Sequence, residues 1–386
     1  MEYSIIQNKF IELYERQPSV VRAPGRVNLI GEHTDYNEGF VLPAAINKEM
    51  VFALAPNDQP RCRVYSYDMR ESVDFDPEAF QRSAHDWVNY ILGVVDQLQK
   101  AGHTIKGFDC VFGGDIPKGA GMSSSAALEC GLASGLNHIF ELGLDKKTIA
   151  QLSQKAENEY VGVQCGIMDQ FANMFGERHQ LIKLDCRSLA YDMIPFQISG
   201  HKIVLLDTNI SHSLASSEYN VRRQQCEEGV AKLKEQELDI KSLRDVDLDT
   251  LTRFRTMMDE VVYRRCRYVV EENKRVEEAC ELLQQNDLLG FGQKMYESHE
   301  GLSKEYEVSC EELDFLVDLT REDDNVLGAR MMGGGFGGCT INLVKEEALA
   351  EMTMDIEQEY QQRFRRELKV YIGDIVKGTE VLDLGQ

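Results

Sequence analysis

Apolar positions at the start of the chain, Ile5, Ile6, Phe10 and Leu13, share one side of a short amphipathic helix predicted over residues 1–17. Val20 and Val21 follow, then a Pro24-Gly25 turn, an extended run over residues 27–30 and a break at Gly31. From 37 to 115 the pattern predicts mixed strands and one helix around residues 87–98, with no chemistry of its own. Phe108, Cys110 and Phe112 alternate as a half-buried strand does, whereas Leu128, Leu132, Leu136 and Phe140 recur every fourth residue as a helix does. A strand therefore feeds a loop of small residues, and the loop opens a helix. Helical spacing returns over 147–160, is broken by Gly162 and Gly166, and a second helix is expected to begin at Asp169. Residues 194–196 and 203–206 read as strands and 213–234 as a long helix; Ile341 and Leu343 alternate after a glycine-dense turn at 331–340.

Composition narrows the classes open to such a chain. Its 386 residues, 43% hydrophobic and 28% charged, suffice for two domains with real cores. Forty-two Lys and Arg against 65 Asp and Glu leave a net charge of −23, which disfavours nucleic acid or an anionic membrane as the main partner. An anionic substrate must then find its positive potential in a local set of groups. The acidic start shows no secretion signal, and no apolar window is long enough to span a bilayer. The 10 cysteines are scattered without a Cys-x-x-Cys, and no His-Glu-x-x-His occurs. That usage predicts reduced thiols in a cytoplasmic protein, not a disulfide frame or a zinc site.

Three stretches carry candidate chemistry. In the loop Gly113–Ser125, glycines let the backbone approach a ligand, and helix-start amides point outward with the positive dipole end behind them. Such a loop suits phosphate, but a Gly-Ser loop capping an ordinary helix has the same composition. It lacks the Gly-Lys-Ser/Thr of a Walker A loop and the third glycine of a Rossmann fingerprint. The second stretch, Arg22–Tyr36, gathers Glu32, His33 and Asp35 after Arg26. Carboxylates accept well from adjacent hydroxyls, so the set fits a polyhydroxylated ligand, and equally a solvated loop or a metal. The third holds Glu157 near a helix end and Asp169 at a helix start, where a solvated glutamate and a simple N-cap are the ordinary readings. Arg264, Arg265 and Arg267 stand among Glu260, Glu271 and Glu272, as a salt-bridged helix face does.

These stretches resemble the galactokinases of the GHMP small-molecule kinase superfamily. Pro117 followed by Gly121-Met122-Ser123-Ser124-Ser125-Ala126 is similar to the superfamily's ATP loop, with Met122 where leucine is usual. Gly25–Tyr36 matches the galactokinase signature, which mevalonate and homoserine kinases lack, and Cys165–Phe171 resembles the segment bearing the catalytic aspartate. Ser217–Arg223 resembles the sugar-contacting tyrosine segment, and Met331–Thr340 the third superfamily motif, which supports the phosphate loop.

The resemblance implies an α/β chain of the α+β type in two domains: a ribosomal-S5-like domain over 1–200 and a ferredoxin-like domain over 201–386, with the site between them. It implies ATP-dependent phosphorylation of α-D-galactose at the C1 hydroxyl, the first step of galactose catabolism, by a monomer or weak homo-oligomer. Asp169 would be the proton acceptor and Arg26 the transition-state stabiliser. Glu32, His33, Thr34, Asp35, Gly166, Asp169 and Tyr219 would bind galactose. Gly119, Ala120, Gly121, Met122, Ser123, Ser124 and Ser125 would bind ATP, and Ser125 with Glu157 would hold Mg²⁺. Sister kinases of N-acetylgalactosamine or arabinose, and a non-catalytic galactose and ATP sensor, are the alternatives. The complete run Ser123–Ala127 favours an enzyme over the sensor.

Overall fold

The computed structural model describes residues 2–210, 215–236 and 239–383. α1 (Tyr3–Tyr14) leads into β1 (Ser19–Asn28), β2 (Phe40–Val41), β3 (Pro43–Pro56), β4 (Cys62–Ser66) and β5 (Glu71–Phe75). Then follow α2 (Asp86–Lys100), β6 (Phe108–Gly114), α3 (Ser124–Ile139), α4 (Lys146–Lys155), α5 (Met168–Phe175), β7 (Gln180–Asp185) and β8 (Tyr191–Pro195). The second half holds β9 (His201–Asp207), α6 (Ala215–Lys234), α7 (Leu248–Arg253), α8 (Glu260–Gln284), α9 (Leu288–Glu300) and α10 (Glu311–Arg321). β10 (Val326–Met331), β11 (Cys339–Lys345), α11 (Leu349–Phe364), β12 (Lys369–Gly373) and β13 (Glu380–Leu382) end it.

A six-stranded sheet ordered β13-β1-β3-β6-β4-β5 forms the first layer, and a four-stranded sheet, β10-β11-β9-β12, the second. β2, β7 and β8 make a third, smaller sheet. α3 lies unusually close to β3. A Cβ on Gly131 would stand 2.2 Å from the Phe52 ring, and one on Gly135 would stand 2.5 Å from Leu54. The two glycines, four residues apart on one helix face, are what permit that approach. One core joins the two halves, since Phe52 and Leu132 share a cluster with Ile203, Leu205 and Ile341. The chain's end also returns to the first sheet: Val20 pairs with Leu382, and Arg22 Nε meets Glu380 at 2.7 Å.

Two elements differ from the sequence expectation. The helix expected over 147–160 is α-helical only to Lys155 and continues as a π-turn over Ala156–Val161. The wider turn rotates Glu157 inward, and it is buried instead of solvated. Asp169 lies in the first turn of α5, but the N-cap is Ile167, so its carboxylate is not spent on capping. The helix expected from Ser213 is described from Ala215 onward, and residues 211–214 lie outside the described ones. Arg264 and Arg265 both reach Glu307, and Arg267 pairs with Glu271. No helix among the described residues is long and apolar enough to cross a membrane.

Candidate active site

β1 delivers the first functional group. Arg26 stands near its end, and its amide donates to the Met122 carbonyl at 3.1 Å, which ties the strand to the phosphate loop. Gly25 makes that contact possible, because a Cβ there would sit 2.7 Å from the same carbonyl. The Arg26 guanidinium grips Asp169 with two parallel bonds, Nε to Oδ1 at 2.7 Å and Nη2 to Oδ2 at 2.9 Å, and also donates to the Gly121 carbonyl. Burial works against its charge, but Asp169, Glu32 and Asp35 outweigh that and hold the Arg26 pKa above its usual value. Ser123 Oγ donates to Asp169 Oδ2 at 2.6 Å. That serine therefore serves the aspartate, a partnership no spacing in the sequence announces.

The loop after β1 folds inward as a unit. Glu32 Oε1 accepts from the Gly333 amide at 2.8 Å and from Arg330 Nη2 at 3.0 Å. Thr34 does not line the cavity; its hydroxyl faces the Gly31 and Phe40 carbonyls and closes the loop. Asp35 is pushed up to about 7, by burial first and then by the charge of Asp169. Gly166 packs behind it, where a Cβ would fall 2.1 Å from Asp35 Oδ2. Burial, followed by Arg222, pulls His33 down to about 3, against partial opposition from the Gly334 backbone, so the imidazole is neutral. Arg26, Glu32, His33, Asp35, Asp169 and Tyr219 all line one cavity of about 210 Å³, together with Gly333 and Gly334 from the opposite half.

The phosphate loop adjoins this cavity. Gly119 and Gly121 adopt φ of 78° and 73°, and Ser123 a φ of 57°, before α3 begins at Ser124. The third glycine motif lies directly on the loop: a Cβ on Gly338 would stand 3.2 Å from the Gly119 carbonyl, and one on Gly121 would stand 3.1 Å from that of Met332. Ala120 and Met122 turn their side chains into the core and leave only backbone to the loop surface. The Glu157 carboxyl is raised to about 7 by burial first and then by Asp169, and the neighbouring Ser125 hydroxyl opposes that rise in part. A buried carboxylate and a hydroxyl beside a phosphate loop are the hard oxygen donors that Mg²⁺ takes, and a cation there would relieve the crowded negative charge. The residues fit that ion. Gln170 Nε2 also holds Glu157 Oε2 at 2.9 Å while bonding the buried Glu129 at 3.1 Å.

A second cavity, of about 460 Å³, opens on the far side of the phosphate loop. Ser124 and Ser125 form one wall, and Trp87, Tyr90, Phe112 and Met69 form an apolar slot beyond them. Flat aromatic walls next to a phosphate loop suit a nucleobase. The sequence reading assigned no function to residues 37–115. The signal available there was the single tryptophan, followed three residues later by Tyr90 on the same face of a helix.

Three family descriptions match the chain in order: the galactokinase galactose-binding signature over residues 8–56, the GHMP kinases N terminal domain over 89–177 and the GHMP kinases C terminal over 254–353. The galactokinase of Roseiflexus sp. is 40% identical over 368 residues, 95% of this chain and 94% of its own length. The chain belongs to the galactokinase family. Within that family the Thermotoga neapolitana enzyme is 41% identical over 93% of this chain and 99% of its own. The Lactococcus lactis galactokinase, crystallised with galactose, superposes with a TM-score of 0.95 over 99% of this chain and 100% of its own, at 34% identity. Mevalonate kinase of Methanococcus jannaschii shares the fold alone, with a TM-score of 0.64 at 17% identity over 94% of this chain and 99% of its own.

Proposed function

We propose that this chain transfers the γ-phosphoryl group of ATP to the C1 hydroxyl of α-D-galactose, giving galactose 1-phosphate and ADP. The observation that carries the reading is the cavity in which Arg26, Glu32, His33, Asp35, Asp169 and Tyr219 converge beside the phosphate loop. Carboxylates there accept from sugar hydroxyls, and the loop amides and Arg26 offset charge on the transferred group. Trp87, Tyr90 and Phe112 would sandwich the base of ATP. Ser125 and Glu157 would hold Mg²⁺, which when bound neutralises phosphate charge. Residues from both halves of one chain build the site, which suits a monomer or weak homo-oligomer. We place the division between the halves at 200/201, with β13 returned to the first. Cysteines without disulfides support a reducing, cytoplasmic setting.

Asp169 acts as base and orienter together. A carboxylate oxygen has two acceptor sites. Oδ2 spends both, on Arg26 Nη2 and Ser123 Oγ, whereas Oδ1 takes only Arg26 Nε. The free site on Oδ1 is therefore the one that accepts the C1 proton. The decisive experiment measures ADP release with Mg-ATP across galactose, glucose, N-acetylgalactosamine, arabinose, mevalonate and homoserine. Turnover with galactose and little with glucose is expected. Thermal stabilisation by galactose without turnover would point to a sensor, and the absence of both would overturn the reading.

A further inference from the structure

His33 lines the sugar cavity, and its Nδ1 meets a chain of hydroxyls that leads away from it. Its Nδ1 is 2.7 Å from Tyr36 Oη, which is 2.7 Å from Tyr306 Oη, and Tyr306 Oη is 3.3 Å from Cys226 Sγ. His33, Tyr306 and Cys226 are buried. Nε2 is shielded from solvent and meets no partner of full hydrogen-bonding geometry among the described residues; the Gly334 backbone, which lines the same cavity, is the acceptor that bears on the ring. α6 organises the far end of the chain of hydroxyls. It presents Tyr219 to the cavity, and Arg222 clamps the carbonyls of Tyr306 and Glu307, each at 2.8 Å. Cys226 closes the line one turn later, on the same face.

A neutral imidazole carries one N–H, so this line of groups has two possible polarities. In one, Nδ1–H donates outward and the last phenol spends its proton on sulfur, a weak acceptor. In the other, the thiol donates to Tyr306, Tyr306 to Tyr36, and Tyr36 to the Nδ1 lone pair. The second gives the strongest donor–acceptor match, phenol to imidazole nitrogen, and leaves only the weak S–H as the starting donor. It also puts a proton on Nε2, in a cavity where Glu32, Asp35 and Asp169 are all acceptors. Hydroxyl oxygens that donate to those carboxylates need donors in return.

We propose that Tyr36 and Tyr306 are positioning residues for sugar recognition: a relay from Cys226 through both hydroxyls holds His33 as the neutral Nε2–H tautomer, whose N–H lies beside the Gly334 backbone in the free protein and donates to a hydroxyl oxygen of the bound sugar. The sugar-facing half of this inference rests on the cavity being the galactose site; the tautomer does not. Tyr36→Phe and Tyr306→Phe keep each ring and remove only its hydroxyl. ¹⁵N-histidine NMR of the ligand-free protein, with His33 assigned by its loss in His33→Gln, is expected to show the Nε2–H tautomer in the wild type and its loss or mixing in Tyr36→Phe. Galactose KM is expected to rise about ten-fold in Tyr36→Phe, the worth of one neutral hydrogen bond, with a smaller rise in Tyr306→Phe, far less change in kcat, and ATP KM as in the wild type. An Nδ1–H tautomer in the wild type overturns the proposal, even if neither variant folds. So does a wild-type tautomer and galactose KM in both variants. No galactose turnover by the wild type, with the Nε2–H tautomer present, would instead fault the substrate reading and leave the relay standing.

Discussion

Three donor groups from two other segments converge on Asp169. Its substitution separates binding from chemistry. Asp169→Asn is expected to lower kcat by about 10²–10⁴-fold, the usual worth of a positioned base, while galactose still binds by calorimetry. Near-wild-type turnover would remove the base assignment. Asp35 sets a pH dependence. Its carboxyl is raised from 3.8 to about 7, so it is protonated in the free protein below about 7 and a weaker acceptor for sugar hydroxyls. Galactose affinity without nucleotide is therefore expected to weaken as pH falls through about 7, by up to about ten-fold per pH unit. Stability runs the other way. The folded state favours the protonated carboxyl, so this contribution is complete below about 3.8 and is lost as pH rises through about 7. Urea unfolding of wild type and Asp35→Asn across that window checks the sign, since the variant should lose that part of the slope.

At the scale of elements, close approach does most of the positioning. α3 carries the phosphate loop at its start, and its distance from β3 is set by Gly131 and Gly135. Gly131→Ala gains about 1 kcal/mol of helix propensity but drives a methyl into Phe52, and overpacking of that kind costs about 1–3 kcal/mol. A net loss of stability is expected by denaturant titration, with a higher ATP KM if the helix start shifts. The π-turn over Ala156–Val161 does comparable work for Glu157, bringing it to Ser125 and Gln170. Neither device has a hydrophobic period to announce it. A helix pattern continues through a π-turn, and a glycine in a helix looks like a weak point until its neighbour across the sheet is known.

On the scale of the whole molecule, the last strand matters to the first. β13 covers the edge of β1, Glu380 pairs with Arg22, and Thr379 bonds Asn173 in α5 through both amide and hydroxyl. Deleting residues 377–386 should expose that edge, cost about 2 kcal/mol or more, and lower the melting temperature by roughly 2–3 °C or more. Calorimetry with light scattering would show it, and an unchanged melting temperature would show β13 to be dispensable.

What the sequence determined by itself was local and chemical. Residue types at short spacing marked Glu32–Asp35 and the loop Gly113–Ser125 as candidate stretches, because a turn, a helix start and an acceptor cluster are each written in consecutive residues, whereas the resemblance to the galactokinases singled out Cys165–Phe171. Apolar periods located α1, α3 and β6, and a short apolar run located β9, for the same reason. Tertiary structure alone decided which partners those groups meet. Arg330, fully buried in β10, donates to the carbonyls of Asn28 and Leu29 and to Glu32, some three hundred positions earlier. Thr34 was turned from the cavity to close its own loop, and Ser123 was turned to Asp169. Trp87 and Tyr90, unremarked in the sequence, came to wall the cavity beside Ser124. A side chain's type fixes what it can bond, but what it does bond depends on which segments the shared core brings within about three ångströms of it.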